Sequence, residues 1–201
     1  MGPSPDPDRE LVQKARDGDR SAFNQLVLKY RHRVMGIATR IIGDQSEAED
    51  LAQDVFVKVF HGLEDFQGDA LFSTWLYRIV ANSCLNQRKK RSLRTRMHES
   101  LEAAELILPD SSSNPHTLLE RKELRVCVEK AIQALPREQR MVLVLRDIEG
   151  LSYEEIADCL ALELGTVRSR LHRARLEVQE RIKAVFSVGE KRVAESWIAE
   201  R

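Results

Sequence analysis

Residues 151–175 read LSYEEIADCLALELGTVRSRLHRAR, and their pattern is the most informative in the chain. Ser152 and Glu155 have the spacing of a capping box, which predicts the start of a helix. A short turn then leads to Thr166, a candidate N-cap for a second helix. Apolar residues recur at helical spacing in both halves, at Ile156, Ala157 and Leu160 and then at Val167, Leu171 and Ala174. Two short amphipathic helices joined by a tight turn predict a helix-turn-helix.

The polar face of the second predicted helix indicates contact with duplex DNA. Arg168 with His172, and Ser169 with Arg173, are i,i+4 pairs, so these four side chains form one patch on the first two turns. Those turns of a recognition helix enter the major groove, where arginine can bond guanine O6 and N7. The alternative is a basic helix face that contacts only water. Ala161 fits the turn less well, because such turns often place glycine in a left-handed conformation.

The overall composition favours a helical protein with segregated charge. Charged residues make up 32% of the 201 residues, above the roughly 25% of a typical soluble domain. The 32 basic residues balance the 32 acidic ones, but residues 44–54 hold five acids and no base. Residues 86–96 hold six bases and no acid, and residues 99–110 hold four acids and no base. A neutral protein can bind DNA when its charge is segregated in this way.

The cysteines and the hydropathy pattern predict a cytoplasmic protein without a cofactor. Cys84, Cys127 and Cys159 lie far apart and lack the spacing of a metal site, so we expect reduced, mostly buried thiols and no bound metal. No apolar run approaches the roughly 20 residues of a membrane span, and no signal sequence is recognisable. We therefore expect no membrane insertion.

The helical pattern is interrupted once, which predicts two domains. Helical spacing of apolar residues covers about 8–95 and 120–186. Residues 96–119 combine an acidic run with a Pro- and Ser-rich segment, which predicts a flexible acidic linker. Residues 187–201 carry weak signals and form a C-terminal tail. The predicted fold class is all-α: two small helical domains joined by a flexible acidic linker, the second containing the helix-turn-helix.

Several helix ends can be predicted from local sequence. Ser21 is a candidate N-cap for the second helix, and Ser46 with Glu49 has the spacing of a capping box for the third. A loop follows from about residue 62 to 70, and a fourth helix begins near Ser73. In the second domain, one continuous helix is predicted over 137–149, between Pro136 and Gly150.

The predicted third helix carries an acidic patch. Asp50, Gln53 and Asp54 are spaced i, i+3 and i+4, on the face opposite the apolar side chains of Leu51, Val55 and Phe56. Exposed carboxylates and an amide beside a buried stripe suit an arginine-rich partner helix. The alternative is an ordinary solvated helix face.

The predicted fourth helix carries polar residues suited to single-stranded DNA. Its core face consists of Phe72, Leu76, Ile79 and Val80. An aromatic ring, amides and cations along another stripe can stack on bases, bond base edges and contact phosphates. Taken on its own, Trp75 is predicted to be a core residue rather than a stacking platform. The candidate DNA-binding residues of this helix are Trp75, Arg78, Asn82, Asn86, Arg88 and Lys89.

Two segments of the chain resemble the extracytoplasmic-function sigma factors of bacterial RNA polymerase. DQSEAEDLAQDVFVKVF at 44–60 and FSTWLYRIVANSCLNQRKKR at 72–91 resemble sigma region two. LPREQRMVLVLRDIEGLSYEEIA at 135–157 and GTVRSRLHRAR at 165–175 resemble sigma region four. The two sets occur in the family's order and are separated by a linker.

The resemblance implies a role for each group of candidate residues. The acidic patch would dock on core RNA polymerase, through the largest subunits, beta and beta-prime. The fourth helix would bind and melt the minus-ten element, with the loop at residues 64–71 holding a flipped-out base. The second domain would read the minus-thirty-five element through Thr166, Arg168, Ser169, His172 and Arg173. Such factors are usually held inactive by an anti-sigma factor, and many serve stress or envelope responses.

Two other functions compete with this interpretation. A helix-turn-helix regulator with a helical effector domain would bind DNA as a dimer without polymerase, but it would not need the amide and basic stripe of the fourth helix. An enzyme would need a catalytic motif, and the sequence has no Gly-rich phosphate loop, metal-spaced His/Cys cluster or nucleophile elbow. We therefore predict no catalytic residues and no cofactor.

Overall fold

The computed structural model describes residues 6–94 and 115–185, with side chains at 6–87 and 124–185. All regular elements in these ranges are helical, in agreement with the predicted all-α class. The first range contains helices α1 to α4, which are Arg9–Arg16, Arg20–Ile42, Gln45–Gly62 and Phe72–Arg94. The second contains α5 Pro115–Gln133, α6 Arg137–Leu143, a π-helical segment Val144–Ile148, α7 Tyr153–Leu160 and α8 Leu164–Val185.

The chain divides into two compact units, as the interrupted pattern predicts. Residues 6–94 belong to the first unit and residues 115–157 and 162–185 to the second, while residues 158–161 group with the first. Residues 96–114 of the linker predicted at 96–119, and the tail at 187–201, lie outside the described residues. Helix α5 begins at Pro115, earlier than the predicted domain start at residue 120, and proline suits the first turn of a helix.

The core of the first unit is built on α2. The side chains that α2 buries recur at helical spacing, and they face the apolar stripes of α3 and α4. The largest of these buried residues are Leu26, Tyr30, Val34, Ile37 and Ile41 of α2, Leu51, Val55 and Val59 of α3, and Phe72, Leu76, Tyr77 and Val80 of α4. This packing decides which faces of α3 and α4 remain exposed.

Aspartates, rather than the predicted serines, cap α2 and α3. Asp19 accepts hydrogen bonds from the backbone N–H groups of Ser21, at 2.8 Å, and Ala22, at 3.2 Å. Asp44 accepts one from the N–H of Glu47 at 2.8 Å. The predictions of Ser21 and Ser46 as N-caps are therefore wrong, because both serines lie inside the first helical turn. An aspartate just before the helix provides the acceptor and also favours the positive end of the helix dipole.

The core of the second unit is built on α8 and α6. Along α8, Val167, Leu171, Ala174, Val178 and Ile182 are all at most 3% exposed. They pack with α5 and α6, and an unbroken buried run, Met141–Leu145, crosses from the end of α6 into the π-helical segment. A run buried on every side marks α6 as the central helix of this unit.

The predicted helix at 137–149 is confirmed in extent as far as Ile148, but its last turn is π-helical rather than α-helical. The α-helical bonds end at Leu143, and the next turn is π-helical, with the N–H of Glu149 bonded to the carbonyl of Val144 at 3.1 Å. Arg146 then donates to the carbonyl of Leu151 at 2.7 Å and lies over the ring of Tyr153, which connects this turn to α7. Apolar periodicity does not distinguish i−4 from i−5 bonding over a single turn.

The helix-turn-helix forms with one predicted cap confirmed and one wrong. The Ser152 hydroxyl accepts from the N–H of Glu155 at 3.1 Å, and the Glu155 carboxylate accepts from the N–H of Ser152 at 2.8 Å, which completes the capping box. Thr166 is not an N-cap, because α8 already begins at Leu164 and the N–H of Thr166 bonds to the Glu163 carbonyl at 2.8 Å.

The cysteines are free thiols, as predicted. Cys84 and Cys159 are buried, and Cys127 is half-buried. Burial raises the pKa of the Cys127 thiol, which disfavours the reactive thiolate. Among the described helices, none combines the length and apolar character needed to span a membrane.

Ala161 in the turn generates a test of the fold. It has φ of 51°, a left-handed conformation that costs an L-residue energy and glycine almost none. Ala161→Gly should therefore raise the free energy of unfolding by about 0.5–1 kcal/mol, measured by urea denaturation followed by circular dichroism.

Gly150 provides the reciprocal control for that substitution. It has φ of 81°, and a Cβ added there would meet nothing within 4 Å, so only backbone strain is tested. Gly150→Ala should lower the unfolding free energy by about 1 kcal/mol. A loss of stability in Ala161→Gly would contradict the left-handed turn.

Candidate nucleic-acid interfaces and docking surface

The recognition helix α8 exposes the predicted patch. Arg168, Ser169, His172 and Arg173 are all exposed, on the side opposite the buried stripe of α8. Thr166 is half-buried, and its carbonyl accepts a hydrogen bond from the Ser169 hydroxyl at 3.1 Å. We call the four exposed residues the α8 patch.

Two other arginines of α8 point away from the patch and hold the helix in place. Arg175 forms a bidentate pair with Asp147 in the π-helical segment, with Nε–Oδ2 at 3.0 Å and Nη2–Oδ1 at 2.5 Å. This hydrogen bond is the main cause of a raised pKa of Arg175. Arg170 pairs with Glu138 of α6, with Nη2–Oε2 at 2.7 Å. The arginines of α8 therefore divide into exposed groups and tethering groups.

Sequence reasoning missed this tethering role. The four arginines of 168–175 look alike in a list of basic residues. A signal was nevertheless present, because the apolar periodicity of α8 places Arg170 and Arg175 at the edges of the buried stripe. Arginine at such an edge can cover apolar surface with its stem and reach a carboxylate on the neighbouring helix.

The acidic patch of α3 is exposed as predicted. Asp50, Gln53 and Asp54 all lie on the solvent side of the helix. Val57 follows on the same face one turn later and is 57% exposed, so the acidic patch has an apolar neighbour. Phe56, predicted on the buried side, is only half-buried. We call Asp50, Gln53 and Asp54 the α3 patch.

Helix α4 exposes the predicted polar residues but not Trp75. Arg78, Asn82 and Asn86 are exposed along one stripe. Trp75 is half-buried, with ring centroids 5.0 Å from Phe66 and 5.8 Å from Phe72. The Trp75 ring is thus partly engaged in an aromatic cluster, which limits the area it offers for stacking on a base. Arg88 and Lys89 also lie on α4, beyond residue 87, where the described side chains of this helix end.

The loop at residues 63–71 is anchored by two apolar side chains. Leu63 is 3% exposed and Phe66 is 7% exposed, whereas the polar residues between and after them are exposed. Gly68 has φ of 81°, which lets the chain turn at the outer part of the loop. Fixed ends and a polar outer part suit a loop that contacts a ligand.

The described residues contain no cluster of His, Cys, Asp and Glu that could hold a metal ion. The exposed polar and charged surfaces of the two units are the α3 patch, the polar stripe of α4 and the α8 patch.

Two family models match the chain in the order that the sequence predicts. Residues 26–94 match Sigma-70 region 2, and residues 125–178 match Sigma-70 region 4. Each match contains the surfaces described above for its unit.

Similar proteins extend over most of the chain. The RNA polymerase sigma-H factor of Pseudomonas aeruginosa is 39% identical over 184 residues, which cover 89% of this chain and 95% of that protein. The ECF RNA polymerase sigma-E factor of Escherichia coli K12 is 37% identical over 185 residues, which cover 89% of this chain and 96% of that protein.

Solved structures of similar fold include two complexes. CnrH, solved with the cytosolic domain of CnrY, has a TM-score of 0.60 at 29% identity, over 89% of this chain and 99% of that chain. The sigma factor RpoE from Bartonella quintana, solved with the anti-sigma factor NepR, has a TM-score of 0.64 at 25% identity, over 82% of this chain and 98% of that chain.

Two region matches in the family's order, together with relatives that are 39% and 37% identical along nearly their whole length, place this chain among the ECF sigma factors of the sigma-70 family. It is an alternative sigma factor for promoter-specific transcription initiation, and not an enzyme.

Proposed function

We propose that the three exposed surfaces divide the work of initiation between the two units. The α3 patch docks on core RNA polymerase, through the beta and beta-prime subunits. The polar stripe of α4 holds the opened strand of the minus-ten element, and the α8 patch reads the minus-thirty-five element as duplex DNA. In this proposal, polymerase docking and strand opening belong to residues 8–95, and duplex reading belongs to residues 120–186. The segment at 96–119 joins the two domains.

The separation of the α8 arginines is the observation that carries this proposal. Arg170 and Arg175 are engaged with carboxylates of the same unit, whereas Arg168 and Arg173 are exposed beside Ser169 and His172. A helix tethered on one side and basic on the other presents its cations at a fixed angle. That arrangement suits entry into the major groove by the first two turns of the helix.

The α3 patch supports docking by its charge and its neighbour. Two carboxylates and an amide can bond several guanidinium groups, and the exposed Val57 adds apolar area beside them. Helix α4 supports strand capture, because amides bond base edges that are accessible after unpairing and Arg78 can contact phosphate. Trp75 would contribute through the exposed part of its ring.

The proposal also covers how the protein is regulated and where it acts. One of the solved relatives was crystallised with an anti-sigma factor, and we infer that this chain too is controlled by such a partner. We place its action in the cytoplasm, where core polymerase meets chromosomal DNA. A stress or envelope response is the process that we expect it to serve.

Reversing the charge of the α3 patch tests the docking surface. Asp50→Lys combined with Asp54→Lys should abolish co-purification with core polymerase, because it sets lysines against the basic partner surface. Both side chains are exposed, so the unfolding free energy should change by less than about 0.5 kcal/mol.

The same charge change elsewhere in the first unit is the control. Glu10→Lys combined with Asp17→Lys alters two exposed acids of the α1 region and should leave holoenzyme yield unchanged. Wild-type yield from the α3 variant, or equal loss from both variants, would show that the docking assignment is wrong.

Single alanine substitutions test the division between duplex reading and strand capture. Arg173→Ala should weaken binding to the upstream element by roughly 1–3 kcal/mol, in a manner that depends on the base opposite it. Asn82→Ala should leave duplex binding intact and reduce promoter opening, which permanganate footprinting of the holoenzyme complex measures directly.

A pre-melted template separates the two defects. A bubble at the minus-ten element should restore part of the Asn82→Ala defect by removing the cost of unpairing, but should not restore Arg173→Ala in the same way. Arg181→Ala, which removes another exposed arginine of α8 outside the patch, should behave as wild type. An identical response of the Asn82 and Arg173 variants to the bubble would contradict the division of labour.

A further inference from the structure

The start of α4 is bonded to an aspartate near the start of the described chain. The N–H of Phe72, the first residue of α4, donates to Asp6 Oδ2 at 2.7 Å, across 66 positions in sequence. The first N–H groups of a helix lack partners within the helix, and Leu71, just before α4, has no side-chain acceptor. Asp6 therefore supplies from a distance the bond that an N-cap residue normally supplies locally.

Asp6 is itself held by a buried network. Its other oxygen, Oδ1, accepts from the N–H of Asp8 at 2.9 Å. The Asp8 carboxylate is 1% exposed and accepts from the hydroxyl of Tyr30 at 2.5 Å and from the ammonium of Lys29. Burial, together with the Asp8 hydrogen bond, raises the pKa of Tyr30, so its hydroxyl remains a donor.

The same network reaches the aromatic cluster beside the loop. The ring of Tyr30 meets that of Phe72 edge-on, with centroids 5.5 Å apart. Phe72 in turn contacts Phe66 of the loop at 6.1 Å and Trp75 of α4 at 5.8 Å. Asp6 is therefore bonded directly to the first α4 turn, and the inner part of the loop is connected to that turn through the ring of Phe72.

We propose that Asp6 is a positioning residue for promoter opening. Through its bond to Phe72 it holds the first turn of α4, and with it Trp75 and the anchored loop, in the geometry that captures the unpaired strand. This role rests on the proposed function of α4. Asp6 itself is not placed in contact with DNA.

Three variants isolate the bond. Asp6→Ala removes both acceptor oxygens, whereas Asp6→Asn keeps one, which serves the N–H of Phe72 while the bond to the N–H of Asp8 is given up. Asp19→Ala is the matched control, since it removes a cap of the same kind from α2 of the same unit, away from α4.

Promoter opening by the holoenzyme is the functional readout. Asp6→Ala should reduce permanganate reactivity at the minus-ten element roughly fivefold, the change in an equilibrium constant that corresponds to the typical stability cost of one lost helix cap. A pre-melted bubble should restore part of this loss, as for Asn82→Ala. Asp6→Asn and Asp19→Ala should open the promoter as wild type does.

Fluorescence of Trp75 gives a readout that needs no polymerase. The chain has two tryptophans, so Trp197→Phe leaves Trp75 as the single emitter in the full-length protein. Acrylamide quenching of Trp75 should increase in Asp6→Ala, because the first turn of α4 loosens, and should stay unchanged in Asp6→Asn and Asp19→Ala.

The outcomes separate the role of Asp6 from the function of α4. Equal losses of opening in Asp6→Ala and Asp19→Ala would overturn the proposal, because general destabilisation would then be the cause. A defect in Asp6→Asn as large as that in Asp6→Ala would overturn it as well. If the wild-type holoenzyme opened no promoter while quenching responded as expected, the function proposed for α4 would fail and the positioning contact would stand.

Discussion

The buried stripe of α8 is the constraint that fixes which of its side chains face outward, and so underlies the proposed reading of promoter DNA. Burying an aliphatic side chain stabilises the folded state by roughly 1.5–3 kcal/mol, and α8 buries five apolar residues on one side. Rotating the helix by one position would bring charged side chains into the core, which costs more than the chain can offset. The Arg175–Asp147 pair adds a directional bond to this packing. The outward direction of Arg168 and Arg173 is therefore a consequence of core formation.

In the first unit, core packing likewise fixes which faces of two helices, α3 and α4, are exposed. The core around α2 takes one face each of α3 and α4, and the opposite faces carry acids on α3 and amides and a cation on α4. Different charge on neighbouring helices gives one small unit two distinct surfaces, which we propose meet a basic protein partner and nucleic acid. Zero net charge over the chain is compatible with DNA binding because these surfaces are separated.

Features of the structure that follow from local periodicity could be predicted from the sequence. The capping box at Ser152 and Glu155, the exposed α3 patch and the exposed α8 patch were all predicted, because each depends on spacings of three or four residues. The family resemblance was equally visible in contiguous segments. These features require no knowledge of which helix packs on which.

Features that depend on tertiary contact were not predicted. A core position was favoured for Trp75, but its ring partners Phe66 and Phe72 were not predicted. The bond from Asp6 to Phe72 was not predicted either, because it joins residues far apart in sequence. Neither leaves a periodic signal. The N-caps of α2 and α3 were predicted wrongly for a different reason. Serine and aspartate are nearly equivalent N-caps, and only the backbone shows at which residue the helix begins.

The most direct test of the account is run-off transcription with purified core polymerase and a pool of genomic promoter fragments. With the full-length protein added, transcripts should arise from a restricted set of fragments that share two sequence elements at a constant separation. One element would be read as duplex by α8, and the other opened by α4. Transcription no different from core polymerase alone, or initiation at sites that share only one element, would contradict a two-unit initiation factor.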